Sequence, residues 1–118
     1  MKRGDVVIVE FPFVDGRRGK NRPALVVQNN RDNRRLANTV VAMISGNIQH
    51  AAEATQTLVD PAIPIGRSSG LHGPSVVKSC NLFTIAQSDI RHVIGSLSQE
   101  LQFEVDRSLQ VALGLDSS

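Results

Sequence analysis

Three features of this chain predict a mainly β protein with helices, an α+β fold built as a small β-barrel with a C-terminal helix. Short β-branched apolar runs recur from Val6 to Ala86, clusters of Gly, Pro, Asn and Asp separate them, and the C-terminal segment switches to a helical period. A chain of 118 residues is long enough for one real core and too short for two, so residues 1–118 are expected to form a single domain.

The elements follow in order. Val6-Val7-Ile8-Val9 is apolar on both faces and reads as an interior strand, with Glu10 its first polar break. Phe11 to Lys20 is a connection, because Pro12, Gly16 and Gly19 deny it regular structure and Asp15-Gly16 offers a turn. Ala24-Leu25-Val26-Val27 and Val40-Val41-Ala42-Met43-Ile44 are two more interior strands, joined by a polar connection over Asn29 to Ala37. Ser45-Gly46-Asn47 ends the third. Thr55 to Val59 predicts a fourth strand, stopped by Asp60-Pro61. The prolines and glycines between Pro61 and Pro74 make a surface loop. Ser75 to Lys78 and Leu82 to Ala86 then give a further strand or a bent pair. Leu101, Val105, Leu109, Ala112 and Leu113 share one helical face, with Ser98 as N-cap, Glu100 at the positive end and Gly114 as the stop.

Composition narrows the function. An apolar share of 41% excludes a disordered chain, and no run approaches the roughly 20 apolar residues of a membrane span. No leader is evident at the N-terminus, and Cys80 stands alone, so neither an internal disulfide nor a cysteine metal site is expected. A cytoplasmic location and no metal or other cofactor follow as expectations. The net charge is only +2, yet Arg17, Arg18, Lys20, Arg22, Arg31, Arg34 and Arg35 crowd one stretch while Glu100, Glu104, Asp106 and Asp116 lie late. The first third should be electropositive, and phosphate is its natural partner, since a guanidinium can donate two parallel hydrogen bonds to it.

Four segments carry a resemblance. Arg3-Gly4-Asp5 opening a strand, Asn21-Arg22-Pro23-Ala24-Leu25-Val26-Val27-Gln28-Asn29, Asn38 to Ser45, and Pro74-Ser75-Val76-Val77-Lys78-Ser79-Cys80 occur in an order that resembles the MazF/PemK (Kid) family of toxin endoribonucleases. The likeness runs over roughly residues 3 to 114. It implies an SH3-like β-barrel of the MazF/PemK/CcdB type and sequence-specific, metal-independent cleavage of single-stranded RNA. It also implies a homodimer, and a cognate antitoxin that inhibits with an acidic segment. In such cleavage the substrate's 2′-hydroxyl attacks the adjacent phosphate, leaving a 2′,3′-cyclic phosphate and a 5′-hydroxyl. A base, an acid and a fixed positive charge are required. The resemblance makes Arg22, of the Arg-Pro pair, and Ser45, at the end of the third strand, the catalytic residues. Pro23 favours extended backbone at Arg22 and limits its freedom. Ser-Gly-Asn is also ordinary turn chemistry.

Two segments depart from the family pattern. Arg17-Arg18 stands where several members carry His or Glu, and Lys78, Ser79, Cys80 replace Arg, Cys, Asp. Cys80 is either a small core residue or a thiol in place of the carboxylate. His50, His72, Lys78 and Cys80 are the candidates for acid, base or charge support, whereas His92 reads as structural. Phe13 is the stacking platform, with Phe11, Phe83 and Phe103 assigned to packing. Arg17, Arg18 and Lys20 would track the RNA backbone, and Asn47, Gln49 and Asn81 would read base edges. Gly16 to Asn21 lacks the spacing and hydroxyl of a nucleotide-binding loop. Two rivals remain: a CcdB-like gyrase-binding toxin, whose Trp-containing tail this chain lacks, and a catalytically silent RNA-binding relative.

Replacing Arg17, Arg18 and Lys20 together should weaken RNA binding and flatten its salt dependence by about 0.7 for each phosphate no longer gripped. The preferred cut sequence should stay the same. An unchanged salt slope with a new cut sequence, read by primer extension, would show that this loop reads bases.

Overall fold

A computed structural model describes residues 1–11 and 20–115; of Phe11 only the backbone is described. Six strands form one antiparallel sheet: β1 (Asp5–Phe11), β2 (Lys20–Val26), β3 (Asn38–Ser45), β4 (Gln56–Val59), β5 (Ser75–Ala86) and β6 (Ile90–Ser96), in the spatial order β4-β5-β3-β2-β1-β6. The α-helices among the described residues are α1 (Asn30–Arg35) and α2 (Gln99–Ala112). The sheet is open, with β4 and β6 as its edges, yet it must curl. Only the 3-10 turn Gln87–Asp89 separates the end of β5 from the start of β6, strands that lie on opposite sides of β3, β2 and β1. This is the barrel-like arrangement expected.

Both faces of the central strands are buried, as their unbroken apolar runs predict. The inner face carries Val7 and Val9 of β1, Ala24 and Val26 of β2 and Val41 of β3, with Met43, Ile85 and Ile90 packed against them. The outer face carries Val6, Leu25, Ala42, Ile44 and Val77, covered by Leu97, Leu101 and Val105 at and within α2. Ser98 caps α2 by accepting from the Leu101 amide at 3.3 Å. Gly114 (φ +69) ends it, and the Leu115 amide returns to the Gln110 carbonyl at 2.8 Å. Arg3 fixes α2 to the sheet, its Nη2 meeting Asp106 Oδ1 at 2.6 Å while Nε donates to the Val27 carbonyl at 2.9 Å.

Several expectations need correction. The segment Asn29 to Ala37, read as a plain connection, contains α1. Its six residues are too few for an isolated helix. Side chains hold it: Asn29 accepts from the Asp32 amide (2.9 Å), and buried Asn33 accepts from Gln28 (2.9 Å) and Thr39 (2.7 Å). Gln87 donates to the Asn33 and Leu36 carbonyls. The Asn29 amide, and then Arg35, hold the Asp32 carboxyl below its ordinary value. β6 has no counterpart among the expected strands, because its exposed Arg91, His92 and Val93 obscure any alternation. His92, read as structural, is exposed on this edge strand opposite Ile8. Phe83 and Phe103, assigned to packing, are 40% and 65% exposed. The reading of Ser75 to Lys78 and Leu82 to Ala86 as a further strand or a bent pair holds: Ser75 to Ala86 is one long strand, bent by an irregularity where Ala42 pairs with Leu82 but Met43 pairs with Lys78. The loop before it contains a 3-10 segment, Pro64–Ser69, after which Gly70 (φ +73) sits so close to the Ile94 carbonyl that a Cβ would collide with it.

Leu101→Ala should lower unfolding free energy by about 2–5 kcal/mol in a denaturant titration, because it empties the joint between α2 and the outer face. In acid, α1 should loosen. The Asp32 contribution is complete above the ordinary carboxylate value and fades as pH falls through the depressed one. Asp32→Asn should remove that acid response in the amide spectra of α1.

Candidate active site

The inner face of the sheet turns polar at one mouth of the barrel. Arg22 lies two residues before Ala24 on β2, and Ser45 two residues after Met43 on β3; Ala24 pairs with Met43, the last β2–β3 pair, so the two lie equally far beyond the end of that ladder. Side chains two apart share a face, and both therefore continue the surface that carries Ala24 and Met43. Hydrogen bonding between the strands stops just short of them. The Val26 carbonyl accepts from Gly4 on the β1 side, whereas the Val27 amide donates to Val40 of β3, and since backbone groups alternate sides the nitrogen of Pro23 faces β3. Proline has no proton to give, and the β2–β3 ladder ends at Ala24. Arg22, paired with Val9 of β1, and Ser45, paired with Val76 of β5, thus lie just beyond the point where β2 and β3 stop pairing with each other.

Arg22 is exposed and has no hydrogen-bond or ion-pair partner among the described residues. Ser45 is half-buried; its Oγ accepts from the Asn47 amide at 3.1 Å. That is the turn chemistry its sequence context suggested, and it fixes the hydroxyl while leaving its proton without an acceptor among the described residues. Lys78, half-buried on β5, pairs with Met43 on one side and Gln56 of β4 on the other, so it shares the inner face with Arg22 and Ser45. Gln56 carries no functional signal in the sequence. Its side-chain oxygen is buried without a partner among the described residues.

The other expected residues divide. The connection from Ser45 to Gln56 must pass β5 to reach β4, and it carries Asn47, Gln49 and His50, all exposed. Asn47 Oδ1 accepts from the Gln49 amide at 3.1 Å, a second local turn. His72 is exposed in the loop before β5, four residues ahead of Val76, which pairs with Ser45. Cys80 is exposed in the β5 irregularity, which corrects the core reading of this thiol. Asn81 is half-buried beside it, 4.0 Å from the Met43 sulfur. Lys20 is exposed at the start of β2, opposite Phe11. Phe13, Arg17 and Arg18 lie outside the described residues. Among the described residues no three His, Cys, Asp or Glu side chains come together as a metal site.

The basic stretch does not form one side of the molecule. Lys20 and Arg22 lie at the mouth just described, whereas Arg31, Arg34 and Arg35 sit on α1, where β2 leaves the sheet and β3 enters it. The end of β2 nearest α1 is about 20 Å along the strand from Lys20 and about 13 Å from Arg22, at roughly 3.3 Å per residue.

Known proteins share this sequence pattern and this fold. The family model described as PemK-like, MazF-like toxin of type II toxin-antitoxin system matches residues 2–113. The Endoribonuclease EndoA of Bacillus subtilis (strain 168) is 33% identical over 116 residues, which is 98% of this chain and 96% of that protein. The structure of Mycobacterium tuberculosis toxin MazF-mt6 is 28% identical, with a TM-score of 0.76, over 95% of this chain and 98% of the other. A mycobacterial endoribonuclease in complex with its cognate antitoxin is 22% identical with a TM-score of 0.80, covering 100% and 99% of the two chains, and shares the fold.

Proposed function

This chain belongs to the PemK-like, MazF-like toxins of type II toxin-antitoxin systems, and from that membership we propose that it cuts single-stranded RNA at the mouth where Arg22 and Ser45 meet. The supporting observation is their shared register on one face, just beyond the last β2–β3 pair. The 2′-hydroxyl of the substrate is the nucleophile, so the protein needs to supply charge and proton transfer rather than a metal-activated water. Arg22, free of any carboxylate among the described residues, donates two parallel hydrogen bonds to the phosphate as its charge rises. The Ser45 hydroxyl, oriented by the Asn47 amide, donates to a phosphate oxygen. Lys78 adds positive charge from the neighbouring strand.

Proton transfer falls to a group brought in by the connections around the mouth, with His50 and His72 as the imidazole candidates and Cys80 as the thiol. Lys20, with Arg17 and Arg18, follows the RNA backbone. Phe13 stacks on a base, and Asn47, Gln49 and Asn81 select bases through hydrogen bonds. The protein works as a homodimer in the cytoplasm, and a cognate antitoxin competes for the basic mouth with an acidic segment.

Purified protein should cut a long single-stranded RNA in excess EDTA and leave 2′,3′-cyclic phosphate ends, detected by mass spectrometry of the fragments. Cutting that appears only when magnesium is added, or that persists with 2′-deoxyribose at the cut site, would refute this chemistry. Binding without any cutting would identify a silent relative.

Arg22→Ala should lower the single-turnover rate by roughly 10²-fold without loss of fold. Arg22→Lys should be nearly as slow, because a point charge cannot replace the fork. Ser45→Ala should cost less. A lysine variant at wild-type rate would reduce Arg22 to a generic charge.

A further inference from the structure

α1 presents positive charge at the end of the barrel remote from Arg22. Arg31 and Arg34 stand at i and i+3, on neighbouring positions of the helix surface, both exposed and without an ion-pair partner among the described residues. Two neighbouring carboxylates are already engaged, Asp32 with Arg35 at 3.1 Å and Asp106 with Arg3 at 2.6 Å, and the Asp5 carboxylate accepts from the Lys2 backbone amide at 2.9 Å. The N-terminal segment lies against the same helix, since the Arg3 amide donates to Asn30 Oδ1 at 2.7 Å, and this places exposed Lys2 beside it. α1 is held rigidly. Buried Asn33, Thr39 and the Gln87 amide fasten its inward side at both turns, an investment of buried polar groups that a solubilising loop does not need.

We infer that Arg31, Arg34 and Lys2 form a second contact for single-stranded RNA, gripping phosphates several nucleotides away from the one that is cut. The inference rests on the RNA-cleaving reading above. Arginine again favours phosphate over a generic anion. About 13 Å of strand separates Arg22 from the end of β2, with Val27 to Asn29 still to cross before α1, which at roughly 3.4 Å per stacked nucleotide is about four phosphates or more, too far for both groups to hold the same one. The contact therefore belongs to long substrates: it raises their affinity and leaves the chemistry at Arg22 unchanged.

The test compares wild type with Arg31→Gln/Arg34→Gln, in which no described side-chain partner is disturbed, by fluorescence anisotropy in chelator. Two single-stranded RNAs of equal composition serve as probes, about six and about 26 nucleotides long. The variant should bind the long strand roughly tenfold more weakly, with a salt slope reduced by about 1.4 because two phosphates are no longer gripped, and bind the short strand as wild type does. Equal binding of the long strand by both proteins overturns the inference. Equal weakening on both strands also overturns it, by placing α1 within the cutting site. Weaker capture of the purified cognate antitoxin with unchanged RNA binding would assign the surface to that protein instead. Wild type that binds both strands but cuts neither would defeat the endoribonuclease reading and leave this contact standing, whereas wild type that binds neither removes both.

Discussion

Burial of the central strands on both faces is the constraint on which the remaining structure depends. Val6 and Leu25 point toward α2 while Val7, Val9, Ala24 and Val26 point into the curl of the sheet, so β1 and β2 have no solvent side along their middles. Apolar burial at about 25 cal/mol per Å² favours this arrangement at every position, but it leaves no room for polar side chains there. Functional groups are pushed to the strand ends. At the mouth, Arg22 and Ser45 are the polar residues that follow Ala24 and Met43 on the inner face, and at the other end of β3 that face carries Thr39, satisfied by Asn33.

The same constraint explains the role of proline in a strand that is otherwise central. Proline interrupts a ladder and is ordinarily confined to edges or strand starts. Pro23 sits where its missing amide faces β3, at the end of the β2–β3 pairing, so the interruption falls at the mouth and not in the core. An arginine placed before it has extended backbone, paired with Val9 of β1 on one side and beyond the last β2–β3 pair on the other. The Arg-Pro pair is thus a structural device as much as a sequence mark: it stands where the β2–β3 ladder ends and leaves an exposed arginine on the inner face.

Polar networks tie the ends of this curled sheet together. Arg3 joins α2 to the turn after β2, Asn33 and Gln87 join α1 to β3 and to the turn before β6, and Thr57 meets Ser108 in a buried pair between β4 and α2 at 3.1 Å. Apart from Asn33 and Thr39, these partners are far apart in sequence. They act as spacers that set where short elements dock, while the apolar clusters supply the driving force. The β5 irregularity works similarly, turning a strand that begins between β3 and β4 so that its far end can lead into β6.

The sequence by itself determined the interior strands, α2 with its Ser98 cap and Gly114 stop, and the Arg22-Pro23 and Ser45 positions, because each is encoded by local period, turn chemistry or a contiguous motif. It could not determine β6, whose exposed edge lacks alternation, or α1, whose stability comes from Gln28, Thr39 and Gln87 elsewhere in the chain. Cys80 and Phe103 look apolar in composition, yet their placement on the surface depends on where a strand bends and which helical face docks. Only the tertiary structure decided that Arg22 and Ser45 share a face just beyond the last β2–β3 pair, that Gln56 joins Lys78, and that Lys20 and Arg22 are parted from the arginines of α1. Register and strand order are set by long-range pairing of two buried faces, and a linear run of charges carries no record of the strand that will separate its halves.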